Sequence, residues 1–462
     1  MNKTQRIRQI LEFFRFTPFD TSTEEGRSLE RYRLIALSSS SSLLSKVLIS
    51  LIGLVSVPIT INYLGKEQFG LWMVVSSIVV WAQLADFGIS NGLVNALAEA
   101  HGREDRNASI SYISTALLSL AIIAFICLIP LVFLSHWIPW GFVLNIQKPS
   151  LIPLSARCFL AAGVVFIVGF PLSIISRIYN AYQLGYISNT TQIISSLFAF
   201  TGLLFAIFLN LSLPWLVVFV SSGPILGNLF AWSIMPRFLP WCRIDFKSIN
   251  FFGIKRISHS STPLFIFQIG ALLINEMINV VIARVSNLTM VADYNILLKI
   301  YLFVFALGIG FSSSFYPAIR EAYERKERMW VVRAIWRVSI VRILIISAPV
   351  LFLIFIGDWL IYFWLKQPLD SKFGVFGWTM FSICLLLSTL SSTFGEILIS
   401  LDDIWSQIKI VFLSAAIVLS GIYYLIPLYQ LSGIYMAIII STIYPIYWSL
   451  SRMRFKILRD LP

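Results

Sequence analysis

Two lysines lie where apolar residues surround them: Lys46 inside the run from Leu43 to Leu64, and Lys299 inside the run from Tyr294 to Ile309. A cation near the middle of a bilayer costs about 2.5–3.5 kcal/mol on insertion scales. Lone ammonium groups at such positions point to a water-filled cavity that receives an anion. Three carboxylates share the apolar setting: Asp86, close to Asn91 and Asn95; Glu276, flanked by Asn275 and Asn279; and Glu396. An intramembrane carboxylate can pair with a cation, carry a coupling proton, or fix helix geometry through a packed polar contact. Each role is open for these three, and Glu276 and Glu396 read individually as structural partners. Lys46 lies only a few residues inside its run, where snorkelling is the competing account. Arg320 ends an apolar run and is placed to reach a phosphate at the cytoplasmic mouth, whereas Arg177 and Arg284, near helix ends, read as headgroup partners. Asp86-Phe87-Gly88 spells a kinase tripeptide, but no Gly-rich loop or His-Arg-Asp accompanies it.

The elements that position these groups are membrane helices. Of 462 residues, 58% are hydrophobic and 12% charged, and the mean hydropathy is +0.83, far from the soluble mix. Runs long enough to span a bilayer predict about twelve helices, over 43–64, 69–97, 111–134, 154–178, 192–209, 213–235, 263–285, 294–319, 339–364, 373–400, 407–428 and 431–448. The fold class is therefore all-α polytopic membrane protein. Alternate connections carry the charge. By the positive-inside rule, about 26 of the 35 Lys and Arg fall on one side and about 6 on the other, which predicts cytoplasmic termini. Trp137, Trp140, Trp359 and Trp364 sit at predicted external ends, as interfacial anchors would. The division expected is a basic N-terminal segment (1–42), six helices (43–235), a basic linker (236–262), six helices (263–448) and a basic tail (449–462). An even number per half makes any repeat parallel. Phe69-Gly70-Leu71 echoes Tyr294-Asn295-Ile296, and Ala98-Glu99-Ala100 echoes Arg320-Glu321-Ala322.

The net charge of +13 lies mostly in segments flanking apolar runs, where it meets anionic lipid rather than nucleic acid. The first 38 residues are polar and basic, without the apolar core of a signal peptide; Ile7, Ile10, Leu11 and Phe14 share one helical face there, as in a short interfacial helix. Four scattered cysteines and three distant histidines give no metal spacing. No Walker sequence is present, so no cofactor is expected. Asp402-Asp403 reads as a solvated cap in a short turn.

One stretch is distinctive. Val57-Pro58-Ile59-Thr60-Ile61-Asn62-Tyr63-Leu64-Gly65-Lys66-Glu67-Gln68-Phe69-Gly70-Leu71-Trp72, followed by Leu84-Ala85-Asp86-Phe87-Gly88-Ile89, resembles the N-terminal signature of bacterial O-antigen and capsule oligosaccharide flippases. These form the polysaccharide branch of the multidrug, oligosaccharidyl-lipid and polysaccharide exporter superfamily. The resemblance implies two six-helix lobes around a central cavity, in the bacterial inner membrane. Its cargo would be an undecaprenyl-diphosphate-linked oligosaccharide, an O-antigen or capsule repeat unit of polysaccharide or lipopolysaccharide biosynthesis, moved from the cytoplasmic to the periplasmic leaflet. A polysaccharide polymerase and chain-length machinery are the protein partners implied. Cavity cations on the first and eighth helices recur in the superfamily, and Lys46 and Lys299 occupy those two helices. The Arg-Asp pair of the lipid II branch is missing from the first helix, which argues against lipid II as cargo.

Two other functions compete. A drug or metabolite antiporter of the same superfamily would call for an acidic cavity, against which the two lysines weigh. A membrane glycosyltransferase or polymerase would call for catalytic residues in a sizeable external loop. The longest such loop, 135–153, has no carboxylate. The reading is a transporter, not an enzyme.

Overall fold

The computed structural model describes residues 19–20, 23–250, 262–312, 315–369, 373–401 and 403–460. The interfacial helix expected near residues 7–15 and part of the basic linker, 251–261, lie outside them. Among the described residues, seventeen α-helices follow in chain order: α1 (Glu24–Val80), α2 (Ile89–Gly102), α3 (Arg106–Trp137), α4 (Trp140–Val143), α5 (Leu151–Gly169), α6 (Ile174–Ala181), α7 (Gly185–Phe208), α8 (Leu213–Ser221), α9 (Gly223–Phe238), α10 (Thr262–Asn275), α11 (Met277–Val285), α12 (Leu288–Ser312), α13 (Phe315–Glu324), α14 (Arg328–Leu365), α15 (Gly374–Ser400), α16 (Ile404–Tyr429) and α17 (Leu431–Asp460). Among the described residues, 11 stretches are long and apolar enough to cross a membrane. The all-helical polytopic architecture is as expected.

The first of those stretches holds two crossings. Gly65 breaks α1 at φ 75°, ψ 161°, a conformation that costs glycine little and other residues much. Ile49 and Met73 line one cavity of about 260 Å³. In a straight helix they would stand about 36 Å apart, so the two arms fold back on each other. The second predicted helix is not continuous either: a 3₁₀ turn over Trp81–Asp86 is followed by Phe87 and Gly88, both at positive φ, before α2 resumes. The span from Phe69 to Leu97 thus breaks at Asp86-Phe87-Gly88, which hydropathy alone does not reveal.

Helices before residue 239 pack mainly with one another, α1 on α7, α7 on α9, α3 on α5; helices after residue 262 do the same, α16 and α15 on α17, α14 on α15. The arms of α1 join the two sets by lying along α12. Side chains such as Phe125, Phe133 and Phe355 stay exposed, as on the lipid face of membrane helices. Of the four tryptophans expected at the interface, Trp137 and Trp359 are exposed, but Trp140 is buried and donates to the Ser135 carbonyl at 2.9 Å. Trp364 reaches across the sets to the Leu54 carbonyl at 3.2 Å. An indole N–H needs a partner when buried, and these two found backbone rather than headgroups.

Asp403 corrects another expectation. It is buried rather than solvated, and accepts from Arg452 Nε at 2.7 Å, tying the start of α16 to the end of α17. Burial pushes its carboxyl up, but hydrogen bonds from Arg452 and Ser406 outweigh this and hold it below the ordinary value. A depressed carboxylate stabilises the fold fully above its unfolded pKa, about 3.9, and loses that contribution as pH falls through the lower folded value. Asp403→Asn should therefore lower the unfolding midpoint at neutral pH, by about 1 kcal/mol or less because Arg452 is 38% exposed. The deficit should vanish in strong acid. Thermal unfolding at both pH values checks this; an equal deficit at both would assign the effect to packing instead.

Candidate functional site

Lys299 enters the 260 Å³ cavity between the two arms of α1, α7 and α12, where Ser56, Thr60 and Ser196 are polar neighbours and, among the described residues, no carboxylate lines the wall. Its stem passes Gly53, whose missing side chain leaves the Lys299 Cδ room at 3.8 Å from where a Cβ would stand. Among the described residues its ammonium has no ion-pair or hydrogen-bond partner. Ile49, Gly53, Ser56 and Thr60 of α1 all face this cavity. Lys46 precedes Ile49 by one turn on the same stripe and is exposed. The geometry thus brings both lysines to one face of the first helix, with about 10 Å of helix between Lys46 and Gly53.

Asp86 lies in a second cavity of about 500 Å³ and is 9% exposed. Arg177 lines the same cavity, with Gln83, Ser176 and Asn228 from the first set and Gln268 from the second. Arg177 read from sequence as a headgroup partner; here it is a cavity cation. Asp86 Oδ1 accepts from the Ser90 backbone at 3.4 Å, the role of a carboxylate near a helix start. The structure does not bring Asp86 to Lys46 or Lys299.

Glu396 is paired. Its Oε2 receives Arg342 Nη1 at 3.1 Å and the hydroxyl of Tyr316, while Arg342 Nη2 reaches Ser392 Oγ at 3.3 Å. Arg342 is 0% exposed and had no place among the candidates. Glu276 sits at the junction of α10 and α11, half-buried beside Ser77. Ser77 accepts from Asn279 Nδ2 at 2.7 Å, and Asn279 accepts in turn from Asn295 at 2.8 Å, a polar chain between the sets. Arg320 is tied locally, to the Ser400 carbonyl at 3.1 Å and to Glu324 at 2.8 Å. Its guanidinium closes the end of α15, a favourable place for a cation.

A further cluster joins the sets at the end bearing the charge-poor loops. Lys66, in the turn after Gly65, is 3.2 Å from Asp293 and donates to the Pro368 carbonyl at 2.8 Å. Asp293 is completely buried. Nearby Asn145 donates to the Ser286 carbonyl at 2.8 Å. Gly70 presses so closely on α12 that a Cβ there would stand 1.9 Å from the Leu288 carbonyl oxygen. These contacts, with Trp364 to Leu54 and Asn279 to Ser77 further from the Gly65 turn, hold the two sets together on that side. No group of three or more metal-ligating side chains occurs among the described residues.

Comparison with known proteins follows this geometry. The family described as "Polysaccharide biosynthesis protein" matches residues 36–323, more than half of the chain. The chain belongs to the polysaccharide biosynthesis protein family. The chain is 24% identical over 433 residues to a Salmonella typhi protein named "Putative O-antigen transporter", covering 91% of this chain and 95% of that one. Its fold is that of an inward-facing multidrug resistance transporter of the MATE family, within the MOP superfamily, with a TM-score of 0.70 at 12% identity over 89% of this chain and 98% of that one. It is also that of the lipid II flippase MurJ in an inward closed conformation, with a TM-score of 0.60 at 16% identity over 92% and 88%. The chain is thus a multi-pass membrane protein of this family, with a fold shared by those transporters.

Proposed function

We propose that the protein is a flippase for an undecaprenyl-diphosphate-linked oligosaccharide, an O-antigen or capsule repeat unit, which it carries from the cytoplasmic to the periplasmic leaflet of the bacterial inner membrane. The observation that carries this reading is the Lys299 ammonium in a cavity where, among the described residues, it has no partner and no carboxylate lines the wall. An unpaired buried charge is costly, and a diphosphate offsets it while gaining a substitute for water. Lys46, exposed on the same stripe, meets the diphosphate first, and Lys299 receives it deeper. The charge-rich end is taken as cytoplasmic from the bias of Lys and Arg. The relative named as an O-antigen transporter supports the glycan as cargo. No step of covalent chemistry is involved, so the repeat unit is finished before it is moved.

Losing one charge-assisted contact costs about 1.5–3 kcal/mol, or roughly ten- to hundredfold. Cells with Lys299→Ala should therefore accumulate the complete lipid-linked repeat unit and display at least tenfold less glycan outside, at unchanged protein level. Lys299→Arg should restore part of the display because it keeps the charge, and Lys46→Ala should give a smaller loss. Mass analysis of the lipid-linked intermediates with a surface glycan probe measures all three. Normal display in the Lys46→Ala/Lys299→Ala double variant would remove the lysines from the mechanism, and a glycan missing one sugar would indicate an enzyme.

A further inference from the structure

On the far side of α12 from Lys299 lies a cavity of about 480 Å³, within the range of small-ligand pockets, about 300–1,000 Å³. Tyr294, Leu298 and Tyr301 face it from α12, at the i, i+4, i+7 spacing of one helical face. Tyr435 of α17 and Gln407 of α16 form another wall. Two polar atoms here are buried and, among the described residues, have no hydrogen-bond partner: the Tyr435 hydroxyl and Gln407 Nε2, on residues only 2% and 6% exposed. Native interiors rarely leave such groups stranded. The Tyr435 ring is held edge-on by Phe381, centroids 5.2 Å apart, and Phe381 also packs edge-on against Tyr301, so the hydroxyl is fixed by packing.

The charge of the cavity narrows the ligand. Glu396 is the one formally charged group among the described lining residues, and Arg342 behind it cancels its charge. Neither a cation nor a phosphate is therefore selected. Donors on Tyr435 and Gln407, an acceptor on Glu396 and flat tyrosine faces suit a neutral ring bearing several hydroxyls. We infer that this cavity binds a sugar residue of the cargo glycan, with the Tyr435 hydroxyl and Gln407 Nε2 donating to its oxygens. The inference rests on the flippase reading above. One helix diameter, about 10–12 Å, separates the cavity from Lys299, a span that the first sugars attached to a diphosphate cover.

The test titrates purified protein in lipid nanodiscs with two probes: the lipid-linked repeat unit extracted from its own cells, and bare undecaprenyl diphosphate. Tyr435→Phe and Gln407→Leu should each weaken the glycosylated lipid about tenfold, equivalent to 1.4 kcal/mol, and leave the bare lipid unchanged. Tyr435→Phe should also raise the unfolding midpoint of the ligand-free protein, since it removes a stranded hydroxyl and keeps the ring. Parental affinity of both variants for the glycosylated lipid overturns the inference and leaves the flippase reading standing. Equal weakening of both lipids overturns it too, assigning the cavity to the lipid chain. A lowered midpoint with parental binding assigns Tyr435 to structure alone. Parent protein that binds neither lipid overturns the flippase reading, and this inference with it.

Discussion

Replacing Glu396 with alanine is expected to destabilise the folded protein by about 3 kcal/mol, because it strands the Arg342 guanidinium in the interior. Arg342 is 0% exposed, and its charge is met by Glu396 Oε2, with Tyr316 and Ser392 accepting from the same guanidinium. Removing one partner of a buried pair costs about 3–5 kcal/mol; the lower figure applies because Glu396 is 33% exposed and water reaches it. Replacing both partners with apolar groups of similar size should recover most of the loss, since the pair's attraction only offsets its desolvation. Arg342→Met with Glu396→Leu is therefore expected to unfold at a higher temperature than Glu396→Ala alone. Glu396→Gln, which can still accept from Tyr316, should fall between. Thermal unfolding of the purified variants in one detergent ranks them. If Glu396→Ala matched the parent, solvent would have to reach Arg342, contrary to its burial.

Arg342 also shows what a sequence withholds. Lone charges in apolar runs are legible, and Lys46, Lys299, Asp86, Glu276 and Glu396 stand out for that reason. Arg342 lies a few residues beyond a basic connection, so it reads as the last charge of a loop. Glu396 was the available signal, because a carboxylate inside one span calls for a cation inside another. Asp293 and Lys66 hid in the same way, at the edge of a run and in a turn, where solvation is the default; only the packing of α1 along α12 brings them together. Gly65 was legible as a turn because it ends one apolar run and the charged Lys66 and Glu67 separate it from the next. The break at Asp86-Phe87-Gly88 was not, although a glycine two residues after an aspartate inside a span carries the signal. Trp140 and Trp364 sit at helix ends like their exposed counterparts. What distinguishes them is a backbone carbonyl within reach, which depends on the fold and not on depth in the membrane.

The Lys66 and Asp293 pair should hold the charge-poor end shut, and breaking it should open that end. A transporter must separate these contacts to release cargo there, and once apart both groups regain water. The closed form alone therefore bears the loss when Asp293 becomes alanine, because the Lys66 ammonium then stays buried without that carboxylate beside it, while the Pro368 carbonyl still accepts from it. Removing one partner of a buried pair costs about 3–5 kcal/mol, enough to shift a two-state equilibrium by roughly a hundredfold or more. Asn145 and Ser286 report the closed form, since the Asn145 side chain touches the Ser286 carbonyl at 2.8 Å. In a background with Cys127, Cys158, Cys242 and Cys384 replaced, cysteines at positions 145 and 286 should be joined by a short bifunctional maleimide in the parent. Asp293→Ala should cut the yield at least tenfold. Exchanging the charges, Lys66→Asp with Asp293→Lys, should restore part of it, because the attraction returns although the chain lengths no longer match. Undiminished cross-linking in Asp293→Ala would mean that the closed end is held by shape, through the close approach of Gly70 to Leu288, and that the ion pair is a passenger.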